Sequence, residues 1–188
     1  MYKFFPEEKL PQSMRIYEWE INNRYLWVKE HVINLYHALQ KEDYRSVINN
    51  SISIINHSMV ILRLVDTDAI GARNKERAKE RAKILHERNP GFPEPPKELR
   101  TIRNAYEHFE ERLDEWAANP ESYDYIDLAV GGNFHQTNTS SNVFRYFEGT
   151  TLMFWENKIN LLELADWVCA MRDEIVKNNR ELLFDPES

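Results

Sequence analysis

Glycine is scarce in this chain, with five in 188 residues, and none falls in a GxGxxG or GxxxxGKS/T pattern. Loops that cradle phosphates need such glycines to bring backbone close to the ligand. This argues against a Gly-rich nucleotide-binding loop. Cysteine is scarcer still: Cys169 stands alone. No disulfide can form within the chain, and a reducing compartment, the cytoplasm, is expected. A coat of positive charge is also lacking, since 24 Lys and Arg face 31 Asp and Glu, a net charge of −7. General attraction to nucleic acid is not implied, although local basic patches remain open. No apolar run reaches membrane-spanning length without charge. The first residues, MYKFFPEEKLPQS, lack the apolar core of a signal peptide. A soluble protein with no membrane partner is expected.

The hydrophobic share of 42% and the aromatic share of 12% are those of a globular chain, and its length suits one domain, 1–188. Met14, Tyr17, Ile21, Tyr25, Val28, Val32, Leu35 and Leu39 recur at spacings of three and four. They predict one stripe of a long helix, with Ser13 as its N-cap. Ile16, Trp19, Leu26 and Ile33 widen the stripe and predict neighbours on two sides. Residues 41–43 read as a tight turn. A second helix follows, with Tyr44, Ile48, Ile52, Ile55, Met59, Leu62 and Val65 on one face.

Residues 71–88 are locally basic. Arg73, Arg77 and Arg81 stand at i, i+4 and i+8, and apolar positions are few: Ala78, Ala82, Ile84 and Leu85. Such a run reads as a solvated helix face or as a contact for phosphates. The NPGFPEPP stretch at 89–96 breaks it. Next, Leu99, Ile102, Tyr106, Phe109, Leu113 and Trp116 step by 3, 4, 3, 4, 3, a heptad-like seam on one continuous helix. Residues 123–156 change texture and predict a β-hairpin around the turn after Glu148. The last helix should start near Asn160, with Glu163 completing a capping box. The expected fold is mainly α: an up-and-down bundle of four to five helices, with 123–156 as a hairpin insertion before the last one.

The seam helix carries RNAYEH, residues 103–108. At about 100° per residue, Arg103 flanks the buried seam while Asn104 and His108 turn well away from it. Asn104 and His108 are i, i+4 neighbours. Arg followed after four to six residues by His occurs three times, at Arg24–His31, Arg81–His86 and Arg103–His108. Only the last pair has Asn after the Arg.

Arg103-Asn104-x3-His108 resembles the motif of the HEPN family (higher eukaryotes and prokaryotes nucleotide-binding), small helical bundles that include many metal-independent endoribonucleases. The resemblance covers this motif specifically and the helical parts loosely. It implies Arg103, Asn104 and His108 as catalytic residues, with no cofactor and no metal. RNA would be cut by its own 2′-hydroxyl, with His moving protons and Arg holding the phosphate. It further implies a homodimer with two motif helices facing each other, and a role as a toxin or phage-defence effector with a neutralising antitoxin. Arg100, Arg73, Arg77 and Arg81 are the candidate RNA contacts. Two features depart from the family: about 80 residues follow the motif, and Glu107, Glu110 and Glu111 surround it with negative charge. The alternative is a non-catalytic dimerisation or nucleic-acid-binding module using the same face.

Elsewhere the expectations are structural. His57, in an apolar helix, reads as a satisfied, partly buried histidine. His31 and His37 do not share a face suited to a metal, and neither HxxxH nor HExxH occurs. Asp66 and Asp68 suit a turn. Cys169 reads as a buried thiol. Phe144, Tyr146, Phe147, Phe154 and Trp155 suit core packing or a dimer contact more than base stacking.

Overall fold

The computed structural model describes residues 2–119, 125–131 and 142–178. Among them are six α-helices: α1 Leu10–Gln40, α2 Tyr44–Val65, α3 Lys75–Arg88, α4 Glu98–Glu107, α5 Phe109–Ala118 and α6 Leu161–Asn178. Six short strands lie between α5 and α6: β1 Tyr125–Ile126, β2 Ala129–Val130, β3 Asn142–Val143, β4 Arg145–Glu148, β5 Thr151–Phe154 and β6 Asn157–Asn160. No helix among the described residues is long and apolar enough to cross a membrane. The mainly helical expectation holds. The count of four to five helices does not, because the motif helix is divided at His108. The hairpin also gains a strand on each side and forms the middle of a four-stranded sheet in the order β2-β4-β5-β6.

The chain forms two compact units. The first comprises Met1–Val28, His57–Pro95 and Asp166–Ser188. Met14, Ile21 and Val28 of α1, Met59, Ile61 and Leu62 of α2, and Val168, Met171 and Ile175 of α6 are buried. α3 adds Ala78, Ala82, Ile84 and Leu85, the four apolar positions its sequence offered. Asn74 caps α3, accepting from Arg77 N at 3.1 Å. The last carbonyls of α2 are bound by α3 side chains. Arg81 donates to Leu64 O at 3.1 Å and Arg63 O at 2.6 Å, and His86 Nε2 lies 3.0 Å from Val65 O. Such groups satisfy helix-end acceptors and complement the helix dipole. α1 starts at Leu10, before the expected cap Ser13, since Pro11 is tolerated in a first turn. Ile16, Trp19, Leu26 and Ile33, expected to find neighbours, remain exposed.

The second unit comprises Lys29–Asn56 and Pro96–Ala165. The turn between α1 and α2 falls at 41–43, as expected. There Glu42 takes φ 56° and the Asp43 carboxylate accepts from Ser46 N and Oγ. β4 and β5 form the predicted antiparallel hairpin, with Phe147 opposite Leu152. β6 pairs antiparallel with β5, setting Ile159 opposite Leu152, and β2 pairs parallel with β4. β1 pairs parallel with β3. Phe144, Tyr146, Phe147, Leu152, Phe154 and Ile159 are buried, as are Leu99, Ile102 and Ala105 of α4, which packs on β6. Asn160 caps α6: its Oδ1 accepts from Leu162 N and Glu163 N, while Glu163 Oε1 accepts from the Asn160 side-chain Nδ2 at 3.1 Å in place of the backbone N–H of a full capping box.

Candidate active-site cleft

The seam Leu99–Trp116 runs on two helices instead of one, buried at Leu99 and Ile102 of α4 and half-buried at Phe109, Leu113 and Trp116 of α5. At His108 the backbone turns to φ −107°, ψ 33°, closing α4 and opening α5. Before the break, Leu99, Ile102 and Ala105 are buried. After it, Phe109 meets Phe144, Phe154 and Trp155 edge-on at 6.2, 5.5 and 5.2 Å between ring centroids, and Trp116 meets Phe144 at 5.6 Å. Tyr106 also packs edge-on against Phe154. The hairpin aromatics thus serve packing, with geometry of the kind that adds to area burial. The break holds the His108 side chain at the joint, 58% exposed.

On the outer side lies a cleft of about 490 Å³. Asn104 and His108 line it together with Thr101, Glu111, Arg112 and Asn157. His108 Nδ1 is 3.2 Å from Glu111 Oε1. Arg112 lies over the Trp155 ring at 5.6 Å and donates through Nη1 to both carboxylate oxygens of Glu156, at 2.9 and 3.0 Å. The Glu156 carboxyl is held below the usual range, first by its own backbone N–H and then by Arg112, against burial that raises it. Arg145 forms a bidentate pair with Asp127 beneath Phe109.

The structure brings together two of the three residues of the sequence motif. Arg103 does not line the cleft; it is 19% exposed and its guanidinium pairs with Glu107. Arg100 is half-buried and also lies outside the lining. Arg73, Arg77 and Arg81 line a different pocket, in the first unit, together with Arg63. Sequence reasoning passed over Arg112 and Asn157. Arg112 follows His108 at i+4 on the same face, a signal available from spacing alone. Asn157 lies on β6, and nothing local announces it.

The remaining candidates have structural contacts. His57 Nδ1 lies 3.0 Å from Arg24 Nη1 and its ring is 5.2 Å from Trp27. His31 Nδ1 is 2.9 Å from Asn50 Oδ1. The Asp66 carboxylate accepts from Asp68 N and Ile70 N, the turn role expected of it. Cys169 is half-buried, its thiol raised above the ordinary range by burial and then by Asp173. Among the described residues no group of three or more His, Cys, Asp and Glu is placed to hold a metal ion.

Fold and cleft together define a mainly helical protein with a small mixed sheet and a polar cleft at a helix joint. No family model, no curated protein and no solved structure matches the chain.

Proposed function

We propose that the α4–α5 cleft is the centre of a HEPN-like, metal-independent endoribonuclease that works as a homodimer. The observation that carries this reading is the convergence of His108, Asn104 and Arg112 on one cleft. RNA brings its own nucleophile. In the proposed reaction the 2′-hydroxyl attacks the adjacent phosphorus and the 5′-oxygen leaves, giving a 2′,3′-cyclic phosphate and a free 5′-hydroxyl. One base must take the 2′-proton and one acid must protonate the leaving oxygen. His108 is the group suited to either task near neutral pH. With one such His per cleft, a second copy supplies the other.

Guanidinium groups stabilise the charge that builds on the phosphoryl oxygens. Arg112 must exchange Glu156 for the phosphate, whereas Arg103 must leave Glu107 and also swing into the cleft that it does not line. Exposed ion pairs are worth about 1 kcal/mol or less, whereas charge-assisted forks to phosphate are stronger. The Arg112 exchange is therefore favourable, and Asn104 can hold a further phosphoryl oxygen. A toxin or phage-defence role with a neutralising partner is part of the same proposal and follows from the family resemblance.

A second reading is a non-catalytic dimerisation or nucleic-acid-binding module. It is favoured by the pairing of Arg103 with Glu107, His108 with Glu111 and Arg112 with Glu156 across the same face. The deciding experiment incubates purified protein with a mixed RNA pool in excess EDTA, with His108→Ala and Arg112→Ala alongside. The ribonuclease reading expects cutting that survives EDTA and is lost by about a hundredfold or more in His108→Ala. Cutting by neither wild type nor variants gives the second reading.

A further inference from the structure

We propose that the pocket between the end of α2 and the start of α3 binds a small polyphosphate anion, a ligand with two or more linked phosphate groups. Four arginines line this pocket of about 390 Å³: Arg63 from α2, Arg73 from the connecting turn, and Arg77 and Arg81 from α3. No Asp or Glu lines it. The proposal concerns the first unit and does not rest on the ribonuclease reading.

Six arginines elsewhere in the chain are matched with carboxylates, unlike those of this pocket. Arg24, Arg88, Arg103, Arg112, Arg145 and Arg172 each pair with an acid. Among the described residues, none pairs with Arg63, Arg73 or Arg77. In a protein of net charge −7, acids to neutralise them are plentiful. Guanidinium groups crowded into one pocket repel one another, and an anionic ligand relieves that repulsion.

The pocket is also held in place. Arg81 is fixed by the Leu64 and Arg63 carbonyls and lies 5.4 Å from the Tyr17 ring centroid. Arg77 lies 5.6 Å from that of Phe4. The wall between the helices is a tight turn in which Ala69 and Gly71 take φ 52° and 75°, pinned by the Asp66 carboxylate. The positive end of α3, opened by its Asn74 cap, adds to the same field.

Charge sets the ligand class. A single phosphate brings at most two negative charges against four arginines. A diphosphate brings three to four. Val60, Leu64 and Ile70 give the pocket an apolar wall, which suits the body of an organic diphosphate.

Isothermal titration of the full chain with pyrophosphate and with ADP, at about 0.15 M salt, tests this. Arg63→Ala/Arg73→Ala removes two exposed side chains that make no described pair. Lys75→Ala/Lys79→Ala removes the same charge from α3 outside the pocket. Saturable binding of pyrophosphate is expected, weakened about tenfold or more in the arginine variant and about twofold or less in the lysine variant. Tighter binding of ADP would identify an organic diphosphate, weaker binding of ADP the inorganic anion, and equal binding a site that reads the linked phosphates alone; each supports the site. An equal loss in both variants would reduce the effect to the general field of α3 and overturn the proposal. It would likewise be overturned by absent pyrophosphate binding, including the case where a 5′-hydroxyl RNA oligomer binds and loses affinity in the arginine variant. Unchanged thermal unfolding of both variants confirms that the comparison is between folded proteins.

Discussion

Glu18 is fully buried on the stripe that carries Met14 and Ile21. An isolated buried carboxylate would be costly, and three donors satisfy this one. Arg88 donates through Nε at 2.8 Å and Nη2 at 3.0 Å, and Asn89 Nδ2 lies 3.1 Å away. Glu18 in turn raises the Arg88 pKa through that hydrogen bond, against burial. Removing one partner of a buried pair leaves the other charge uncompensated. Because Arg88 is 30% exposed, water recovers part of the loss. Glu18→Ala is therefore expected to cost about 2–3 kcal/mol, read as a lower urea midpoint. An unchanged midpoint would show that the pair contributes nothing to the folded state. Nearby, Glu174 accepts from Gly91 N at 2.9 Å, and a Cβ at Gly91 would lie 2.5 Å from its Oε2. A side chain at position 91 would have to displace the Glu174 carboxylate and disturb this hydrogen bond.

Elements in the first unit are joined by single polar side chains as well as by apolar stripes. The clearest case is Glu80 on α3, whose carboxylate receives the backbone N–H groups of Lys3, Phe4 and Phe5 at 2.9, 2.7 and 3.2 Å. Burial raises its pKa, but the N–H groups and Lys3 outweigh burial and hold it below the ordinary value. A carboxyl lowered on folding stabilises the fold above its unfolded pKa, roughly 4.3, and loses that contribution as pH falls through the folded value. The stability difference between wild type and Glu80→Gln is thus expected to be largest near neutrality and to shrink at about pH 3.5. Denaturation midpoints at the two pH values measure it, and a constant difference would contradict the linkage. The sequence made most elements legible. Three-four spacing placed α1, α2 and α6, and Asn160 with Glu163 marked the start of α6. What it hid was the break at His108, where no Pro or Gly announces a stop and the seam continues in register. It also hid β6, whose residues Asn157–Asn160 include one apolar side chain, Ile159, too little for an alternating signal. The cleft was legible in Asn104 and His108. The turning aside of Arg103 to Glu107 was not, because the wheel places it beside the seam without saying which acid it meets.

At the scale of the whole molecule, the proposed chemistry makes a demand on stoichiometry. Each chain brings one His108 to its cleft, while cleavage with a 2′-hydroxyl nucleophile needs both a base and an acid. In a homodimer that pools two clefts about a twofold axis, a His108→Ala subunit disables its wild-type partner as well as itself. Subunits mixed under exchanging conditions, with a threefold excess of the variant, leave wild-type chains paired with each other about a quarter of the time if they assort at random. Activity per wild-type chain is expected to fall to about that fraction. A chain that cuts alone would keep its full activity in the same mixture, which would place acid and base within one cleft and remove the need for a second copy.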